Sequence, residues 1–101
     1  MRRNPGILLV ASLFALAVAL AARTAAAQPD YKKAAEHYQD AEKAIESGQF
    51  ALAAREYGIA YEITKDPVLF YKIASANDKA GDCAAALIYY GRYLKEGNPD
   101  E

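Results

Sequence analysis

Apolar and small residues recur at spacings of three and four between residues 30 and 46, through Tyr31, Ala34, Ala35, Tyr38, Ala41 and Ile45. Such a stripe marks an amphipathic helix, and Ser47-Gly48 ends it. A second stripe, Phe50, Ala53, Ala54, Tyr57, Ala60 and Tyr61, predicts a helix to about Thr64. Asp66-Pro67 is the clearest boundary: Asp caps free helix amides, and Pro fits the first helical position, where its missing N–H costs nothing. A third helix over about 67–80 buries Phe70, Ile73 and Ala74, and Gly81-Asp82 stops it and caps the next. The fourth carries Cys83, Ala86, Leu87, Tyr90 and Leu94 until Gly97-Asn98-Pro99 ends the pattern. Nothing alternates with period two, and the turns within each pair are short. The predicted fold is all-α, two antiparallel helix pairs in tandem.

The pairs are also alike in wording. Gly48-Gln49-Phe50-Ala51-Leu52-Ala53-Ala54-Arg55-Glu56-Tyr57-Gly58 returns in the second pair as Gly81-Asp82-Cys83-Ala84-Ala85-Ala86-Leu87-Ile88-Tyr89-Tyr90-Gly91. Similarity at a fixed period implies stacked supersecondary units, which usually work by presenting a surface to another molecule.

Residues 67–99 resemble the tetratricopeptide repeat (TPR) family, whose unit is a helix pair of about 34 residues. Phe70 stands at the aromatic position of the first helix, Ile73 and Ala74 at its large-then-small pair, and Gly81 at the turn. Ala86 takes the small position and Tyr90 the next aromatic one, with Pro99 near the closing proline. In residues 34–66 the second helix matches through Gly48, Phe50, Ala53, Tyr57 and Ala60. The first departs, with His37 at the aromatic place and Asp40 at the large apolar place. The resemblance implies two TPR-like repeats, 34–66 and 67–99, behind a lead-in (28–33) and before a short tail (100–101). It implies a packing set of Gly48, Phe50, Ala53, Tyr57, Ala60, Phe70, Ile73, Ala74, Gly81, Cys83, Ala86, Tyr90 and Leu94. Ala53 and Ala86 let helices approach while the aromatic residues fill the spaces beside them. The TPR subclass that clamps a C-terminal carboxylate uses Asn where this chain has Gln39 and Lys72, so that specificity does not carry over.

The segment 1–27 reads differently. Arg2 and Arg3 lead into an apolar run from Ile7 to Ala22, and Ala25-Ala26-Ala27 precedes Gln28. This is the layout of a cleavable secretory signal peptide; the alternative, an uncleaved anchor, needs roughly 20 apolar residues, more than this run holds. No Cys lies near the expected cut after Ala27, so no lipid attachment is expected there. The expectation is a periplasmic or secreted bacterial protein. From Gln28 onward, nine Lys plus Arg face thirteen Asp plus Glu, a net charge of −4. That balance, with no basic cluster, argues against nucleic-acid and membrane-surface binding. Cys83 is the only cysteine, so stability must come from packing in a domain near the small end of what folds alone.

Candidate chemistry is sparse. His37 has no second His and no Cys near it in sequence, and Glu36, Asp40, Glu42 and Glu46 read as the solvent face of one helix, so no metal, cofactor or catalytic set is expected. Cys83, at the start of a helix, has a place that is apolar and packed in the repeat, so it reads as a buried, inert thiol. Tyr is the unusual residue, eight with no Trp. In TPR proteins the places of Tyr38 and Tyr71 face the inner groove. The resemblance therefore implies a groove lined by Tyr38, Glu42, Ile45, Tyr71, Ser75 and Asp78 for a peptide or helix of a cell-envelope protein. The alternatives are a plain solvated face there, a self-associating subunit that covers the apolar last helix with a second copy, and a sensor of glycans or small ligands.

Overall fold

Asp30 starts the first helix. Its carboxylate accepts the backbone N–H of Lys33 at 3.0 Å, satisfying one of the amides that a first turn leaves free, and α1 runs Tyr31–Glu46, beginning inside the expected lead-in. The computed structural model describes residues 28–98; the expected signal peptide, the closing Pro99 and the tail lie outside the described residues. Helices α2 (Phe50–Thr64), α3 (Leu69–Lys79) and α4 (Cys83–Arg92) follow, and α4 continues into one wide π-helical turn, Tyr93–Gly97. No strand occurs among the described residues, so the fold is all-α, with each helix packed on the next.

The two tight turns are the same turn. After α1, the Gln49 N–H reaches the Ala44 carbonyl (2.8 Å) and the Gly48 N–H reaches Ile45 (3.1 Å). At the matching place after α3, the Asp82 N–H reaches Asn77 (2.9 Å) and the Gly81 N–H reaches Asp78 (3.0 Å). Both satisfy carbonyls at a helix end in the manner of a Schellman motif. That geometry needs a left-handed residue, which Gly48 (φ 74°) and Gly81 (φ 86°) supply. Asp82 then caps α4 by accepting from the Ala85 N–H at 3.1 Å, as the sequence predicts. With matching turns at matching spacing, the fold is repeat-like.

The third helix starts two residues later than expected. Asp66 accepts the Val68 N–H at 3.1 Å, and the N–H groups of Leu69, Phe70 and Tyr71 each reach back three residues. Residues 67–68 therefore form a tight turn, and the regular α pattern begins at Leu69. The α-helix of α4 is likewise shorter than the pattern suggests. The π turn brings Gly97 so close to the second unit's start that a Cβ there would lie 2.7 Å from the Pro67 carbonyl oxygen.

Alanines make the seam thin. Ala41, Ala53, Ala74 and Ala76 have no exposed surface, and Tyr57 and Phe70 are the largest fully buried side chains. Phe70 sits in the middle of the stack, its ring 4.5 Å from Tyr61 of α2 and 6.0 Å from Tyr89 of α4. The Arg92 guanidinium lies 4.1 Å over the same ring.

Besides the turn glycines Gly48 and Gly81, which are exposed, two members of the expected packing set lie outside the core. Cys83 is exposed, which corrects the expectation of a buried thiol, and Leu94 is 57% exposed. The reason is position. Helix α2 lies between α1 and α3 and buries four residues, whereas α4 packs mainly on α3, with Arg92 reaching Tyr61 of α2, and buries only Ala86.

Candidate functional site

The tyrosines form pairs that repeat with the helices. Tyr38 of α1 meets Tyr57 of α2 edge-on, with centroids 5.5 Å apart and planes at 68°. Tyr71 of α3 meets Tyr90 of α4 at 5.8 Å and 64°, the same contact moved along by one repeat. T-shaped pairs of this kind place a positive ring edge against a negative ring face.

What surrounds the pairs differs. Over the first, Lys72 reaches back from α3, its ammonium 5.8 Å from the Tyr38 ring and 5.9 Å from Tyr57, and donates to Glu42 at 3.1 Å. Hydrogen bonding from the Tyr57 hydroxyl, followed by Lys72 and Tyr38, holds the Glu42 carboxyl below the usual carboxylate range against the opposing effect of its burial. Burial and the neighbouring carboxylate push the Tyr57 hydroxyl well above the usual phenol range. Bonding to Glu42 raises Lys72. The second pair has Tyr93 beside it, 5.5 Å from Tyr71. In the place of Glu42 stands Ser75, and Tyr71 is half exposed.

The six expected groove residues therefore divide. Tyr38 and Glu42 join Lys72 in one cluster; Tyr71 joins the second aromatic pair. Ile45 packs on the core, Ser75 is half-buried, and Asp78 is exposed with its backbone carbonyl used by the Gly81 turn. A hollow of about 370 Å³ opens beside the first cluster instead, between α1 and the start of α3. Ala34 and Leu69 lie in its wall, Tyr31 and Val68 stand largely exposed around it, and Gln39, Thr64, Asp66 and Lys72 are among its polar groups. Sequence reading singles out Gln39 and Lys72 only as departures from a clamp; their shared position, one per repeat, is the available signal that they lie together.

A second cluster escapes sequence reading. His37 Nδ1 lies 2.6 Å from Glu56 Oε2, across the α1–α2 seam, and Asp40 is close to both. His37 has no companion in sequence, but Glu56 on the facing helix and Asp40 one turn along supply one in space.

Among the described residues no helix is long and apolar enough to cross a membrane. Comparison with protein-family models, curated proteins and solved structures finds no match to this chain.

Proposed function

We propose that this chain is a TPR-like interaction module, exported to the bacterial cell envelope by the segment 1–27, which holds a peptide or helix of a protein partner and carries out no chemistry on it. The observation that carries this reading is the hollow between α1 and α3. It is lined mainly by the first helices of the two units, the side on which TPR proteins bind, together with Ala60 and Thr64 of α2, and its volume of about 370 Å³ falls within the range typical of ligand sites. Tyr31 and Val68 offer apolar surface that the fold leaves uncovered, and Gln39 and Lys72 offer donors for a partner's carbonyls or carboxylate. Support for the TPR reading comes from the duplicated turns, the duplicated tyrosine pair and the alanine seam.

Self-association is the second reading, favoured by α4 and the turn that extends it, on which Leu87 is 73%, Ile88 63% and Leu94 57% exposed. One experiment separates them. The chain from Gln28 to Glu101 is panned against a displayed random-peptide library, and selected peptides are titrated onto Val68→Asp and Leu87→Lys variants, with mass measured by light scattering. The hollow reading expects a monomer whose peptide affinity falls about tenfold or more in Val68→Asp and is unchanged in Leu87→Lys. A dimer dissolved by Leu87→Lys, with no selected peptide sensitive to Val68→Asp, replaces it with the self-association reading.

A further inference from the structure

Among the many places where the first unit departs from the second, three meet in space. Where the second unit has Phe70, Ile73 and Tyr89, the first has His37, Asp40 and Glu56 at the matching places of the repeat. In the second unit these are packing residues: Phe70 and Ile73 are buried, and the Phe70 and Tyr89 rings lie 6.0 Å apart. In the first unit an imidazole and two carboxylates occupy the same positions of the α1–α2 seam. Their ligand atoms all lie within 4.8 Å of one another. A polar end to a helix stack is ordinary, and unrelated solvated residues would satisfy it. Here three of the polar replacements, an imidazole and two carboxylates, are side chains that ligate metals, and they come within reach of one another.

The local charge is unbalanced. Two carboxylates share one imidazole, and Asp40 has no ion-pair partner among the described residues. Lys43 lines the same hollow beside α1 and α2 as Asp40 and Glu56, but its ammonium stands beyond ion-pair distance of both. His37 and Glu56 are about four-fifths buried, at 23% and 19% side-chain exposure, while Asp40 faces solvent.

We propose that His37, Asp40 and Glu56 form a binding site for a divalent transition-metal ion of the zinc type, bridging α1 and α2. The donor set is one imidazole nitrogen and two carboxylate oxygens, which suits zinc and its neighbours rather than magnesium or calcium. A tetrahedral ion with bonds of about 2.0–2.2 Å spaces its ligand atoms roughly 3.3–3.5 Å apart. The 2.6 Å contact of His37 with Glu56 therefore opens by less than about 1 Å while Asp40 closes in. Side-chain rotation supplies both movements, because Asp40 is on the surface and the hollow leaves room beside it. Three protein ligands leave a fourth position for water or for a donor from a bound partner. The ion ties α1 to α2 where the seam lacks the aromatic contact that joins α3 to α4. It stands apart from the hollow at Tyr31, Val68 and Lys72, so it does not depend on what that hollow binds.

The test is calorimetric titration of the tag-free chain from Gln28 to Glu101 with zinc chloride, alongside magnesium chloride, and melting curves at each zinc concentration. Cys83→Ser is included because the exposed thiol is a rival ligand. The expected result is one zinc per chain, no comparable magnesium binding, and a melting temperature that rises with zinc. Binding should persist in Cys83→Ser and weaken at least about tenfold in His37→Ala and in Glu56→Gln. The triple variant His37→Phe/Asp40→Ile/Glu56→Tyr gives the first unit the residues of the second, so it should keep its helical spectrum and lose zinc. Absence of saturable zinc binding, binding that survives in the triple variant, or binding lost in Cys83→Ser overturns the site.

Discussion

The two helix pairs share one turn and one tyrosine contact, yet they close their seams by different means. In the second pair Phe70 lies between Tyr61 and Tyr89, has no exposed surface and carries Arg92 on its face. In the first, the same place holds His37, hydrogen-bonded to Glu56 and still 23% exposed. The difference follows from the number of neighbours. Helix α3 has α2 on one side and α4 on the other, so a residue pointing into that seam leaves water entirely. Among the described residues helix α1 packs mainly on α2, with Lys72 of α3 reaching Glu42, and polar side chains at its edge keep part of their hydration. A repeat sequence thus records where in the stack each unit lies.

Removing the side chain at this one place should separate the two units most sharply. Phe70→Ala is expected to cost about 3–5 kcal/mol, the range for deleting a buried aromatic ring. Small domains have total stabilities of about 5–15 kcal/mol, so much of this chain should be unfolded. His37→Ala in metal-free buffer deletes a partly buried hydrogen bond to the Glu56 carboxylate, worth about 1–3 kcal/mol. Urea denaturation followed by far-UV circular dichroism measures both. Equal losses would mean that the seam is not concentrated in the second unit.

A smaller contrast concerns the alanines. Ala53 and Ala86 occupy the same place in their units and are 0% and 3% exposed. Overpacking a filled site costs about 1–3 kcal/mol. Ala53→Leu should fall at the upper end, because α2 is covered by α1 and α3, and Ala86→Leu lower, because α4 can shift away from its main neighbour. Thermal melting of the two variants gives the order, and a reversed order would contradict the lighter cover of α4.

The sequence states the helices, the turns and the buried alanines well because each is set locally: a stripe at three and four, a glycine where φ is positive, an aspartate three residues before the amide it caps. The boundary at Pro67 was legible only to within a turn, since whether Asp66 bonds to Val68 or to a later amide depends on the left-handed Lys65 (φ 55°) before it. The burial of Cys83 and Leu94 was misread for a different reason. Their positions in the repeat are apolar in kind, but burial needs a neighbour, and the pattern along one helix does not say whether another lies against it. Of the residues that the TPR resemblance puts in a groove, Tyr38 and Glu42 stand together one turn apart on α1. The partners that complete each cluster, Lys72 for Glu42 and Glu56 for His37, stand 30 and 19 residues away, where only the register between helices brings them in.

The finest contrast lies in the tyrosine hydroxyls. The Tyr57 hydroxyl interacts with Glu42 and lowers its carboxyl, whereas Tyr90 has Ser75 in the equivalent place of the repeat, so Tyr57→Phe should cost about 1 kcal/mol near neutral pH and Tyr90→Phe much less. The pH dependence identifies the cause. Glu42 titrates lower when folded than when unfolded, so its contribution is complete above the usual carboxylate range and disappears as pH falls through its folded value. Tyr57 and Lys72 titrate higher when folded. Their contributions are complete below their unfolded values, about 10 and 10.4, and are lost as pH rises above them. The penalty of Tyr57→Phe should accordingly be greatest on the plateau between about pH 5 and 9 and shrink on both sides. Once Glu42 is protonated the hydroxyl has no anion to hold, and above the phenol range the wild type itself pays for keeping Tyr57 neutral. Urea midpoints of the wild type and both variants, measured across that span, should show this arch for Tyr57 and a flat line for Tyr90. A flat line for Tyr57 would leave the two pairs alike in everything except the helix that lies over one of them.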